Sequence, residues 1–328
     1  MRFSQRIPVV VIAVFALVLT STYTLTPPHS PQTIIDHVGR SVPIPHRIEK
    51  VYATSQSGSL LIYALNPALL LGWNTALSPE MDFILGSKAG GLPVLGTWDQ
   101  LYQTVDLDQV AVLHPDLVVH LAEPDLPNLG LAEAIEAELG IPTIVVDGSF
   151  EALPRSMRWL GELFGCQVRA QALALYAENT LMKLEILRNE TKETPAAVYL
   201  VGDSTKIDLD TLPIAGLSDV QTDSSLQADR ILIIPDPIRD PYRELIKNPP
   251  PQAQKALDEG EIYELPTVPQ NWLTPNSILR LVGVEWLAQM AYPGLYSGDP
   301  AAKFQEFMEV FYEVRVPMET ALRIARQN

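Results

Sequence analysis

From about residue 51 onward, short apolar runs alternate with stretches whose apolar residues recur every three or four positions. Val51-Tyr52-Ala53 predicts a short strand and residues 59–65 a helix. Leu69-Leu70-Leu71-Gly72-Trp73 and Pro93-Val94-Leu95-Gly96 predict two more short strands. Residues 107–113 read as a helix and 116–121 as a buried strand. Residues 129–139 form an amphipathic pattern that stops at Gly140, where a glycine commonly ends a helix. Residues 141–146 are again strand-like. Strand–helix alternation punctuated by Pro and Gly predicts a mostly parallel sheet with helices on both faces.

Strand signals stop between residues 151 and 188. Residues 157–164 and 168–188 are helical, and the second stretch is long, with Ala170, Leu173, Ala174, Ala177, Leu181 and Leu184 on one stripe. Strands resume at 197–201, 230–234 and 262–265, and helices at 278–290 and 304–312 close the chain. The predicted organisation is an α/β lobe over 33–150, a helical segment over 151–192 and a second α/β lobe over 193–328. Residues 1–32 stand apart. Arg2 and Arg6 precede an apolar run over 7–19, a polar stretch follows, and Pro27-Pro28 lead into a linker over 26–33. That layout predicts an export signal. It has no clean cleavage site and no lipobox cysteine, and extended to Leu25 it approaches the ~20 residues that span a bilayer. Both a cleaved signal peptide and a retained anchor fit, and either places the rest of the chain outside the cytoplasm.

Charge narrows the partners. The net charge of −16 and the lack of any Lys/Arg run argue against nucleic acid and anionic membrane surfaces. With 47% hydrophobic residues over 328 positions, the chain can bury one large or two medium cores. Cys166 is its single cysteine, so no intrachain disulfide and no thiolate metal site can form. His29, His37, His46, His114 and His120 show no metal-ligand spacing.

Several motifs, in order, resemble a known family. Ile35-Asp36-His37-Val38-Gly39-Arg40, Val42-Pro43-Ile44-Pro45 and Arg47-Ile48 are similar to the opening of the periplasmic binding proteins for iron-siderophores, haem and cobalamin. Leu92-Pro93-Val94-Leu95-Gly96, His114-Pro115-Asp116-Leu117-Val118 and Gly140-Ile141-Pro142 continue the resemblance. Glu261-Ile262-Tyr263-Glu264-Leu265-Pro266, Trp272, Arg280-Leu281-Val282-Gly283 and Tyr292-Pro293 extend it to about residue 293. The resemblance implies an α/β fold of two Rossmann-like lobes joined by a single long α-helix, with the ligand cleft between the lobes. It also implies an ABC-transporter permease as partner and no catalysis or cofactor. Two departures stand out. The second lobe is short, and the acidic residue that each lobe would present to a permease falls at Leu60 and Gln221, neither acidic. Glu80, Asp82, Asp219 and Asp223 are candidate replacements.

Cleft candidates follow the predicted strand ends. Ser55 and Gln56 sit between the first strand and its helix, where unpaired amides suit an anionic or carbonyl-bearing ligand, or serve simply as a helix cap. Trp73, Thr97 and Trp98 end the next two strands, and Trp272 is their counterpart in the second lobe. Their indoles are expected either to face a flat chelate or to pack inside. Glu123 follows the strand at 116–121, with His120 at its end. Arg239 follows the strand at 230–234 and is the choice for an anionic ligand group. Asp203 and Ser204 follow the strand at 197–201. Gly202-Asp203-Ser204 also opens one esterase family, but no histidine follows Ser204 to complete a triad. No metal site of the protein's own is expected.

The expectation is a monomeric, non-enzymatic binder that captures a metal chelate (an iron-siderophore, haem or cobalamin-like complex) or an oxyanion for an ABC importer. Alternatives are a two-lobed hydrolase using Ser204 and a membrane-anchored ligand sensor.

Overall fold

The computed structural model describes residues 31–100, 102–191, 195–222, 225–296 and 298–325. Residues 31–328 form a compact unit of their own. The predicted export segment and the candidate Asp223 lie outside the described residues, as does His29. Among the described residues no helix is long and apolar enough to cross a membrane.

A hairpin of β1 (Gln32–Ile35) and β2 (Ser41–Ile44) opens the unit. Its turn is held by Asp36, whose Oδ1 accepts from the Arg40 amide at 2.8 Å and whose Oδ2 pairs with the Arg40 guanidinium at 2.9 Å. The same Oδ2 accepts from the Val145 amide at 3.2 Å, and Arg40 also donates to the Thr143 carbonyl. The Asp-x-x-x-Arg stretch is therefore a clamp that fastens the hairpin to the first sheet.

That sheet is parallel, with order β3 (Val51–Ala53), β4 (Leu117–Ala122) and β5 (Thr143–Asp147). Around it lie α1 (Gln56–Leu65), α2 (Pro79–Leu85), α3 (Ser87–Gly90), α4 (Leu107–Leu113) and α5 (Leu126–Leu139). Local chemistry sets their ends. Ser55, Ser78, Asp106 and Asp125 each accept from a first-turn amide, and Gly140 ends α5 in the left-handed region at φ 66°. The two strands predicted around Leu70 and Val94 reduce to isolated parallel bridges, Val51 with Leu70 and Trp73 with Val94. Pro67 turns the chain into a 3-10 helix just before the first, and Pro93 removes an amide donor from the second.

Helices α6 (Leu153–Leu163) and α7 (Gln167–Thr191) then lead to a second parallel sheet. Its order is β7 (Leu217–Asp219), β6 (Ala196–Val201), β8 (Arg230–Ile233) and β9 (Ile262–Glu264). Helices α8 (Thr211–Ile214), α9 (Pro241–Lys247), α10 (Gln254–Glu259) and α11 (Arg280–Ala291) accompany it. One face packs Leu245, Ala253 and Ala256 against Ile231 and Ile233. The other joins Val198, Leu200 and Leu232 to a core that runs on through α7 into the first lobe.

Helices α12 (Pro300–Tyr312) and α13 (Met318–Ala325) return to the first lobe. The Arg169 guanidinium donates to the Phe311 carbonyl at 2.6 Å, and Arg323 pairs with Glu80 at 3.3 Å. An aromatic seam at α12 includes Trp272 stacked on Phe304 at 5.3 Å and Phe307 on Phe311 at 4.4 Å. It ties the two lobes together behind their sheets.

Candidate functional site

The loops beyond the C-terminal ends of both sheets meet one another, which is where open parallel sheets place ligands. Three contacts establish the meeting. Ser57, in the first turn of α1, donates to the Pro275 carbonyl at 3.5 Å. Gly148, just past β5, lies against Asn276, and a Cβ on Gly148 would stand 2.7 Å from the Asn276 Cβ. Arg280, at the start of α11, spans the junction: it donates to the Gly148 carbonyl on one side and to the Asp208 carboxylate on the other.

Arg280 is 1% exposed, and its guanidinium carbon lies 5.4 Å from the Phe150 ring centroid. Burial works against its charge, while Asp208, Glu123 and Asp147 sustain it. Sequence reasoning missed this residue as a site group. The available signal was a lone cation at the head of the apolar run 278–291.

On the first lobe the polar groups are committed to one another. His120 lies between Thr54 and Asn128, with Nδ1 2.7 Å from Thr54 Oγ1 and Nε2 2.9 Å from Asn128 Oδ1. The Asn128 amide donates to the Glu123 carbonyl at 3.0 Å, so its oxygen faces the ring. His120 therefore donates from Nε2 and accepts at Nδ1, and burial lowers its pKa. It has no nitrogen left for a ligand. Asn74 ties three segments: its amide donates to the Ala53 and Gly96 carbonyls at 2.8 Å each, and its oxygen accepts from Ser59 at 2.6 Å. Gln56 Oε1 accepts from the amides of Asn74 and Thr75, both at 3.2 Å. Ser55 Oγ caps α1 by accepting from the Gly58 amide at 3.3 Å. Thr97 is half-buried in a tight turn with Thr104.

The three tryptophans split from the others. Trp73 is 1% exposed and donates to the Ala89 carbonyl at 2.9 Å. Trp272 is fully buried and donates to the Val268 carbonyl at 2.8 Å. Both are packing residues in this conformation, because closing the aromatic core behind the sheets buries more apolar area than a rim position would. Trp98 is buried among Tyr52, Val110 and Val118, and its backbone anchors a turn that exposes Tyr102 instead. Leu60, the expected docking position of the first lobe, is fully buried in α1 and offers no surface to a permease. Gln221 donates to the Leu200 carbonyl.

On the second lobe Asp203 and Arg239 are exposed, while Lys206 and Asp236 are half-buried. Gly202, at φ 113°, lets the chain turn closely past Ile234, where a Cβ would stand 2.6 Å from the Ile234 carbonyl oxygen. Asp203 accepts from the amide and hydroxyl of Thr205 at 3.1 and 2.6 Å, which lowers its pKa. Lys206 pairs with Asp236 at 2.6 Å, raising the lysine and depressing the carboxylate. The Tyr102 phenol of the first lobe is close enough to act on Lys206. Ser204 is half-buried; Glu123 and Arg239 are exposed, and neither side chain has an ion-pair partner among the described residues.

Sequence reasoning also missed Tyr102, Leu126 and Ile238, large apolar side chains left exposed just beyond strand ends. Their signal was an apolar residue inside a polar loop, with a proline close by for Leu126 and Ile238. No group of His, Cys, Asp or Glu among the described residues is arranged to hold a metal ion.

The backbone resembles solved structures of one kind. An ABC transporter solute-binding protein from Sulfurospirillum deleyianum superposes with a TM-score of 0.76 at 21% identity, covering 89% of this chain and 98% of that one. The molybdate periplasmic binding protein MolA of Haemophilus influenzae, bound to molybdate, matches with a TM-score of 0.66 at 15% identity, over 87% of this chain and 99% of its own. A TroA-like periplasmic binding protein, FepB, from Veillonella parvula matches with a TM-score of 0.64 at 21% identity, over 88% and 98%. No protein-family model matches the sequence, and no curated protein sequence matches it either. The fold is that of the two-lobed periplasmic solute-binding proteins of ABC transporters.

Proposed function

We propose that this chain is the extracytoplasmic substrate-binding component of an ABC importer, capturing a small anionic metal chelate between its lobes. The observation that carries this reading is the convergence of both parallel sheets' C-terminal loops on one junction, with Arg280 at its base. Solved proteins of this fold include haem, Fe3+-hydroxamate and molybdate systems, which supports a chelate or an oxyanion as cargo. The unpaired Arg239 and the apolar Tyr102, Leu126 and Ile238 suit a ligand with anionic and apolar faces. The export segment in the sequence supports delivery across the inner membrane, and a permease is the partner that this fold serves.

The reading is one of binding without turnover. Ser204 has no histidine within its own lobe, and His120 is sealed between Thr54 and Asn128. Thermal-shift measurements on residues 31–328 with ferric hydroxamates, haem, cobalamin and molybdate test the reading. A true ligand at 100 times its Kd adds about 2.7 kcal/mol of stability. A flat response to all four classes contradicts it.

A further inference from the structure

Two helices cross between the lobes, α7 on the way out and α12 on the return, and polar contacts fasten them at both ends. At the first-lobe end Arg169 of α7 donates to the Ala64 carbonyl of α1 at 2.9 Å and to the Phe311 carbonyl of α12 at 2.6 Å. Farther along α7, the Tyr176 ring sets its edge against Phe307 and Phe311 of α12, with centroids 6.2 and 5.5 Å apart. At the second-lobe end Glu285 of α11 stands between Lys183 of α7, at 3.5 Å, and Lys303 of α12, at 3.8 Å. Fourteen residues, about 21 Å of helix, separate Arg169 from Lys183. The two crossing helices therefore form an antiparallel strut with a polar pin at each end.

The second pin is not one that stability alone would favour. The Glu285 side chain is 1% exposed, and its helix neighbours Leu281, Val282, Val284 and Leu287 are fully buried. Its Oε2 has no hydrogen-bond partner among the described residues, and neither do the buried hydroxyls of Tyr176 and Tyr296. The two ammoniums hold the carboxylate by charge. Both keep access to water, at 47% and 23% exposure, on the wall of a cavity of about 300 Å³. A buried carboxylate with an unfilled oxygen adds little over an apolar residue of its size; its use is to select one arrangement among several.

We infer that Glu285 is a positioning residue, pinning α7 and α12 to the second lobe and so fixing the angle between the lobes. Packed apolar helices slide over one another in small steps, which is how lobes shear. A carboxylate held between two ammoniums resists that sliding, because a shift of either helix draws one charge away from it. The inference concerns the protein without ligand, so it stands apart from the binding reading above.

The test uses residues 31–328 with Cys166→Ser, spin-labelled at Val112→Cys of α4 and Ile246→Cys of α9, exposed positions in the two lobes. Electron–electron dipolar spectroscopy should give a single narrow interlobe distance in this parent. Glu285→Met keeps the length of the side chain, removes the buried charge and lets both lysines turn to water, so the melting temperature should hold or rise. The interlobe distribution should nonetheless widen to about twice that of the parent. Glu285→Gln keeps the shape without the charge; it should widen the distribution too, and it stands in if the methionine variant does not fold. Circular dichroism establishes that each variant is folded before distances are read. An unchanged distribution in a folded variant, whatever its melting temperature, would leave Glu285 a structural pair only and overturn the inference. A broad distribution in the parent would overturn it as well.

Discussion

At the edge of the first sheet, the polar side chains bond to one another and to buried backbone: Thr54, His120, Asn128 and Gln100 in one group, Ser59 and Asn74 in another. At the edge of the second, Asp203 and Arg239 are exposed on turns, and the paired Lys206 and Asp236 beside them are half-buried. Buried hydrogen bonds are costly to break and hold their geometry. Exposed ion pairs exchange partners at little cost. The first lobe thus presents a fixed wall of paired polar groups, and the second presents more accessible charges. Arg280 belongs to both, since its charge is buried like the first set and it joins the two edges.

The sharpest way to break this contrast is Arg280→Ala. Loss of a buried pair and of the bond to the Gly148 carbonyl should cost about 3 kcal/mol in chemical denaturation. Arg280→Lys should recover only part, because a single ammonium cannot serve both partners in the planar geometry of a guanidinium. A wild-type denaturation midpoint for the alanine variant would remove Arg280 from the account.

Asn74→Ala comes next. It leaves the Ala53 and Gly96 carbonyls without the side-chain donor they share, at a cost of about 2 kcal/mol. Asn74→Asp should be no better, since a carboxylate cannot donate to either carbonyl.

A smaller effect is expected from acid. Burial lowers the pKa of both His37 and His120 below the usual 6.5. The folded protein then binds fewer protons than the unfolded chain as pH falls below about 6.5. Their stabilising contribution is full above that value and is lost on the way down to the folded values. Melting temperature should fall between pH 7 and 5, and His120→Gln should flatten part of the slope. The same slope in the variant would show that His120 contributes nothing to it.

The smallest stability change belongs to Lys206→Ala and Asp236→Asn. Both side chains are half-buried but still reach water, so loss of their pairing should move the melt only slightly.

Much of this fold was legible because strand–helix alternation is written in local periodicity. The helix predicted at 168–188 is α7, and the one predicted at 107–113 is α4. The hairpin of β1 and β2 was not legible, because Asp36 in its turn fastens it to the distant β5 rather than its strands carrying a pattern of their own. The site was harder to read. Ser55 is where its motif predicted, at a strand end capping a helix. Trp73 and Trp272 looked the same in sequence as cleft tryptophans do. Only the packing of Ala89 and Phe304 around them shows which way they turn. Arg280 carried too little signal, since its two partners lie 72 and 132 residues away.

The central claim is that a ligand binds at the junction of the two edges. Isothermal titration of residues 31–328 with the ligand that raises the melt most, repeated for Arg239→Ala and Tyr102→Ala, tests it directly. The account predicts one ligand per chain, with affinity weakened at least tenfold in each variant while the unliganded melts stay unchanged. Saturable binding of equal affinity in all three proteins would place the ligand elsewhere and contradict the account.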